Sequence, residues 1–307
     1  MEEIKIFAPA TVANLSCGFD VLGCCLDTIG DQMILKKNNL NKLRILRITG
    51  QDLPLEAANN VATVAIMAIL EALGSTQGFD IEIDKNIKAG SGIGSSAASS
   101  AGAVFAVNKL LGEPFNSKEL IVFAMEGERL ASGNAHADNV APALMGGFSL
   151  VKSYHPLEVL SLPSPPELRF VILHPLIELK TKDSRAVIKQ QVQLKDAIGQ
   201  WGNLAAFVSG LYTEDYELIG RSLQDKIIEP MRSILIPYFE KLKTIALENG
   251  ALGFGISGSG PSIFAMCKGD AITAKVKKEM QLFYQDKGIE FDLHHSAINE
   301  AGIRILE

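Results

Sequence analysis

Positive charge is scarce: 29 lysines and arginines stand against 35 aspartates and glutamates, for a formal net charge of −6. That balance excludes a basic nucleic-acid groove or an anionic membrane surface as the main partner. Long apolar runs are missing too, and none reaches the ~18 residues needed to span a bilayer. The first residues, MEEIKIFAPA, lack the basic start and long apolar stretch of a secretory leader. Cysteine is limited to Cys17, Cys24, Cys25 and Cys267, with no C-x-x-C pair and no disulfide framework. These absences predict a reduced cytoplasmic protein without a structural metal.

What is there is the composition of a globular enzyme, 47% hydrophobic and 21% charged over 307 residues. That length is large for one core, and two lobes are expected. The prolines at 156, 163, 165 and 166 mark the boundary, giving lobes of 1–160 and 161–307. Strand-like runs fall at Glu2–Phe7, Met33–Lys37, Leu43–Thr49, Phe79–Asp84 and Gly147–Ser153. Past the prolines they recur at Leu168–Leu173, Ser262–Met266 and Ile289–His295. Helical spacing covers Asn60–Leu73, stopped by Gly74 with Asn59 read as its N-cap, and Ser117–Ser132, stopped by Gly133. Further helices are expected over 186–196, 200–212, 214–224, 231–248 and 272–286. This irregular alternation, with hairpin-like neighbours, predicts an α+β fold rather than a doubly wound sheet.

The segment that carries most chemistry is Lys88-Ala89-Gly90-Ser91-Gly92-Ile93-Gly94-Ser95-Ser96-Ala97-Ala98, which opens an alanine-rich helix near Ser95. Three alternating glycines let the backbone turn tightly and bring N–H groups close to a bound group. A helix N-terminus adds donors and the positive end of a dipole, so the combination suits a phosphate. The same residues would also make a small-residue turn that lets a helix pack closely on a sheet. No G-K-[ST] closes the loop, which excludes a Walker A motif. Gly253, Gly255 and Gly258 do spell G-x-G-x-x-G, but a helix precedes and a strand follows, the reverse of a dinucleotide fingerprint.

Two further loops concentrate polar groups. Residues 9–23, PATVANLSCGFDVLG, carry Asn14 and Asp20; residues 134–139, NAHADN, place four polar or ionisable groups in six positions. Short polar side chains in loops also serve as caps, and the charges of the helix over 117–132, Glu126, Glu128 and Arg129, read equally as a solvated face. The other histidines, His155, His174 and the adjacent His294 and His295, show no clustering that suggests a site.

Taken together, residues 9–23, 88–97 and 255–262 resemble the three motifs of the GHMP kinases, in the right order across both lobes. Within that superfamily, GFDVLG and HADNVAPALMGGF (136–148) are similar to the homoserine kinase family; the G-E-H sequences of galactokinase and mevalonate kinase are absent. Lys88 and Ile93 depart from the family's proline and leucine. The resemblance implies a ribosomal-S5-like first lobe, a ferredoxin-like second lobe and phosphoryl transfer from ATP to L-homoserine, in a homodimer on the route to threonine. It implies that ATP lies along residues 88–98 with Asn59, and that Mg²⁺ is held by Glu128 and Ser96. It implies that Arg185 and Arg232 take the substrate carboxylate and that Asp20 and Asn14 take its ammonium. Thr181, His136 and Gly258 are implied as further contacts, and Asn139 as the residue orienting the hydroxyl. A GHMP kinase for another small alcohol, or a sensor that keeps the fold without catalysis, are the competing readings; the glycines, Ser96 and Glu128 argue against the sensor.

Overall fold

The computed structural model describes residues 1–179, 181–189 and 191–306, the side chains of 181–183 excepted. The first half runs β1 (Glu3–Ala13), β2 (Leu22–Asn38), β3 (Leu43–Thr49), α1 (Val61–Leu73), β4 (Gly78–Asp84), α2 (Ser95–Leu110), α3 (Ser117–Ser132), α4 (Val140–Met145), β5 (Phe148–Tyr154) and β6 (Leu157–Leu162). The second runs β7 (Leu168–Pro175), α5 (Thr181–Ala186), α6 (Leu194–Thr213), α7 (Tyr216–Ser222), α8 (Glu229–Arg232), α9 (Phe239–Glu248), β8 (Gly253–Ile256), β9 (Ile263–Lys268), α10 (Gly269–Tyr284), β10 (Phe291–Ala297) and β11 (Arg304–Leu306).

A seven-stranded sheet has the order β11-β1-β2-β4-β3, with β5 on β2 and β6 on β5; a four-stranded sheet has the order β10-β7-β9-β8. Only β3 and β4 pair in parallel among these strands. This is the α+β architecture expected. The last strand returns to the first sheet, where Lys5–Phe7 pair with Arg304–Leu306. Among the described residues, no helix is long and apolar enough to cross a membrane.

Helix α2 runs through the larger core, with only Ser96, Phe105 and Lys109 less than fully buried. Its sequence, SSAASSAGAVFAVNKL, explains how: small side chains let β1, α1 and α3 approach from several sides. A Cβ at Gly102 would lie 2.7 Å from Met33 Sδ. The core around it includes Ile6, Met33, Ile66, Phe79 and Phe148, none of them exposed. A smaller cluster joins the second sheet to α9 and α10 through Leu173, Leu242, Phe254, Met280 and Tyr284. Each such side chain contributes roughly 1.5–3 kcal/mol of transfer free energy.

Several expectations need correction. Asn60, not Asn59, caps α1, its side chain accepting from the Ala62 N–H; Asn59 sits in the preceding 3₁₀ turn and donates to Glu56. The proline-rich stretch is no simple linker, because β6 lies inside it. The helix expected over 186–196 does not form as one: α5 ends at Ala186, where that helix was expected to begin, and α6 starts at Leu194 and runs on through the expected 200–212, with Gly199 and Gly202 accommodated within it. The helix expected over 231–248 is divided: α8 and a 3₁₀ turn precede Pro237, and α9 begins at Phe239. β2 starts at Leu22, well before the alternation at Met33, because its first residues are buried without alternation.

Candidate active site

The glycine loop folds as its composition requires. Gly90, Gly92 and Gly94 have φ of +74°, +84° and +73°, a region that other L-residues rarely adopt. Two of them also touch other elements. A Cβ on Gly92 would lie 2.7 Å from the carbonyl oxygens of Ser257 and Gly260, and one on Gly94 would collide with Thr11 Oγ1. Gly94 is itself the N-cap of α2, so no side chain covers the first-turn N–H groups. These point to a cleft of about 710 Å³, lined by Ala89, Gly90, Gly92, Gly94, Ser95 and Ser96 on this side. A concave surface with uncapped helix donors suits an anion.

The other two motifs close around the loop. Ser257 Oγ donates to the Gly92 carbonyl at 2.8 Å, and the Ser262 N–H to the Ser91 carbonyl at 3.1 Å. On the opposite side, the register of β1 on β2 shifts between Pro9 and Thr11. Proline offers no N–H to the ladder, and the freed Thr11 N–H donates to the Ile93 carbonyl at 3.1 Å. Beyond β1, Asn14, Leu15 and Ser16 all take positive φ, +73°, +43° and +57°. Three consecutive non-glycine residues in this region are costly, and such strain clusters at functional sites. The turn places Asn14 to donate from Nδ2 to the Gly258 carbonyl at 2.7 Å while its Oδ1 accepts from the Asp20 N–H at 3.0 Å.

Charged groups gather at the rim and floor. Asp20 and Arg185 form a two-pronged ion pair, Nη2 to Oδ1 at 2.8 Å and Nη1 to Oδ2 at 3.2 Å. Arg232 is buried; its Nε donates to the Ser184 carbonyl and its Nη1 to the Gly258 carbonyl, at 3.0 and 3.1 Å. Both guanidinium groups lie over the Phe19 ring, at 5.6 Å for Arg185 and 5.2 Å for Arg232. Burial, with help from Arg185, pulls the Arg232 pKa down to about 10, so it remains a cation at neutral pH.

Glu128 is buried, and its Oε1 has no hydrogen-bond partner among the described residues. Burial pushes its pKa up to about 7, against the opposing effects of a hydrogen bond from Ser96 and the charge of Lys85. Asp138 is also buried and pushed up to about 7, by desolvation first and then by the charges of Asp20 and Glu128. Asn139 accepts from Thr11 Oγ1 at 2.7 Å through its Oδ1, which leaves its NH₂ group for the cleft it lines. The ring nitrogens of His136 have no hydrogen-bond partner among the described residues, and Asp20 Oδ1 is 4.0 Å away. Burial lowers its pKa, which keeps the imidazole neutral at pH 7.

The cleft thus unites most of the residues singled out from the sequence: Asn14, Asp20, His136, Asn139, Arg185, Arg232 and Gly258 join the glycine loop, Ser96 and Glu128. Others stay outside its lining. Asn59 is turned to Glu56, and Lys88 pairs with Asp292 at 3.2 Å. Ser91, Ile93, Ala97 and Ala98 are buried in the loop and helix interior. The side chain of Thr181 lies outside the described residues. Asp20 and Arg185, expected at opposite ends of a ligand, hold each other. His174 and His294 are not isolated either, since Asp292 pairs across the strands with His174 and acts on both rings. Glu126, two residues before Glu128, is not part of the cleft lining and pairs with Arg129. The lining residues that carried no expectation include two ionisable ones, Lys85 and Asp138. Asp138 stands inside HADN, yet nothing in a sequence distinguishes a buried carboxylate from a loop cap.

A glycine cradle on a helix N-terminus, an orphaned buried carboxylate and two facing arginines thus meet in one cleft, an arrangement suited to holding a phosphate beside a small charged molecule. The models for the GHMP kinases N terminal domain and the GHMP kinases C terminal region match residues 59–147 and 204–286. The chain is 43% identical to homoserine kinase of Chloroherpeton thalassium and 42% identical to that of Chlorobium phaeobacteroides, over the full length of each protein. The crystal structure of homoserine kinase from Cytophaga hutchinsonii superposes with a TM-score of 0.96 at 48% identity, covering 100% of this chain and 98% of the other. Mevalonate kinase of Methanococcus jannaschii, at 15% identity and a TM-score of 0.71, shares the fold. The chain belongs to the homoserine kinase family.

Proposed function

We propose that this protein transfers the γ-phosphoryl group of ATP to the side-chain hydroxyl of L-homoserine, giving ADP and O-phospho-L-homoserine for threonine synthesis. The observation that carries the acceptor assignment is the Asp20–Arg185 pair with Arg232 beside it. A zwitterionic amino acid can enter by partner exchange, its ammonium taking Asp20 and its carboxylate taking the guanidinium groups. The number of satisfied charges is then conserved. An uncharged alcohol offers nothing in return for breaking the pair. The planar guanidinium fork suits a carboxylate better than an ammonium would.

ATP is placed with its phosphates over the glycine loop and the first turn of α2. The orphaned Oε1 of Glu128 and the neighbouring Ser96 hydroxyl fit a Mg²⁺ ion, a hard cation that takes few oxygen ligands from a protein. When bound, that ion supplies neutralisation of phosphate charge. Asn139 orients the acceptor hydroxyl, since an amide cannot take a proton at neutral pH. Asp138, with a pKa about 7, takes the proton as the oxygen–phosphorus bond forms and ADP departs. A loose transition state asks little of that base. The four cysteines are buried and free, the state that a reducing cytoplasm maintains, and the family resemblance implies a homodimer.

The test is ³¹P NMR of a mixture of protein, ATP, Mg²⁺ and L-homoserine. The expected outcome is a new phosphomonoester resonance growing in step with ADP and dependent on homoserine and Mg²⁺. ADP formation without a new ester, or an ester formed without homoserine, contradicts the assignment.

A further inference from the structure

Lys85 follows β4, and its side chain is 1% exposed while lining the floor of the cleft. Its ammonium has three N–H donors, and three protein acceptors use them: Asp31, the Ser95 carbonyl at 3.0 Å and Ser99 Oγ at 3.1 Å. The last two belong to the first turns of α2. Asp31, wholly buried in β2, accepts with its other oxygen from the N–H groups of Asn86 and Ile87 at 2.8 and 2.9 Å. Ser95 Oγ then donates to the Ile87 carbonyl at 2.8 Å. These bonds form a closed circuit around the two ends of the glycine loop. Asp31 holds the strand side, Lys85 holds the helix side, and Ser95 joins them.

Burying an ion pair is a weak way to gain stability, because desolvation offsets most of the attraction. The loop between the tied ends carries three glycines at positive φ, the backbone most prone to wander. We propose that Lys85, backed by Asp31, is a positioning residue for the nucleotide: it clamps the N-terminus of α2 so that its N–H groups are already aimed when phosphate arrives. With every donor engaged inside the protein, Lys85 adds positive charge beneath the phosphates without ligating them. Pre-organisation of this kind is expressed in the affinity for nucleotide and not in that for the acceptor. This inference rests on the kinase reading for its consequence in turnover, but its primary readout, ADP affinity, does not.

The experiment measures ADP binding by calorimetry and both KM values by steady-state kinetics for Lys85→Met and for Ser99→Ala, with urea unfolding of each. Ser99→Ala deletes one acceptor and leaves the charge pair intact, so it remains informative if Lys85→Met does not fold. Lys85→Met should weaken ADP binding and raise KM for ATP at least about tenfold, Ser99→Ala by about threefold, with KM for homoserine unchanged in both. A folded variant with wild-type ADP affinity, or a fall in kcat with both KM values unchanged, overturns the proposal and leaves the circuit merely structural. Wild-type protein that binds ADP but shows no homoserine-dependent turnover would defeat the kinase reading alone; the clamp is judged on the ADP data.

Discussion

Glu128 carries opposite demands. Its carboxyl is raised to about 7 by burial, as is that of Asp138. A carboxyl whose native pKa lies above its ordinary value, 4.5 or 3.8 here, stabilises the fold in full below that ordinary value. The contribution is withdrawn as pH rises towards about 7. Stability should therefore decline across that window in urea titrations. Glu128→Gln, which cannot ionise, should be more stable than wild type at pH 7.5 by on the order of 1–3 kcal/mol. Its kcat should nevertheless fall at least ~10²-fold, as when charge stabilisation of a transition state is lost. Lower stability with normal kcat would show Glu128 to be a structural residue. At saturating Mg²⁺, kcat/KM should rise with pH through about 7 as Asp138 deprotonates, and Asp138→Asn should abolish that limb; an unchanged profile removes Asp138 from the chemistry. Glu128 was singled out only through the family resemblance, since its own sequence context reads equally as a solvated helix face. Lys85 was not, since a lysine at the end of a strand looks solvated until Asp31, 54 residues away, is folded over it.

At the scale of elements, local signals served wherever a segment's own chemistry sets its limits. The capping box of Asn116 with Glu119 and the αL glycine at Gly133 bound α3 at the residues read from the sequence. The glycine loop and the start of α2 were equally clear. Limits set by tertiary contacts were not. The early start of β2 depends on a partner far along the chain, Leu22–Cys24 pairing with Phe148–Leu150, while β6 forms among the prolines as the second strand of a hairpin with β5. The left-handed turn at 14–16 is another such case, because Leu15 is held at φ +43° with its side chain fully buried. For the glycine loop the structure predicts asymmetric tolerance. Gly92→Ala places a Cβ against two carbonyl oxygens at positive φ, and should raise KM for ATP and lower the unfolding midpoint together. Gly90→Ala, with only the Leu179 carbonyl as near as 4.0 Å, meets conformational strain alone and should cost less in stability. Equal losses in chemical denaturation would contradict this account of how the loop is seated.

Across the whole molecule, the site proposed for the acceptor exists only because distant segments converge. Asp20 and Arg185 lie 165 residues apart, and the Gly258 carbonyl accepts from both Asn14 and Arg232. The family resemblance named these residues, but their mutual pairing was invisible without the fold. Removing Arg232 or Arg185 should cost on the order of 2–5 kcal/mol in kcat/KM for homoserine while KM for ATP moves far less. Arg232→Lys should recover little. A defect confined to ATP would reassign these arginines to the phosphates. The most direct measurement of the central claim is a competition: limiting ATP with Mg²⁺ and equimolar L-homoserine, L-serine, L-threonine, mevalonate and galactose, with the phosphorylated products resolved by mass spectrometry. Phosphohomoserine should account for nearly all transferred phosphate. A dominant product from mevalonate or galactose, with homoserine untouched, would contradict recognition of a zwitterion in this cleft.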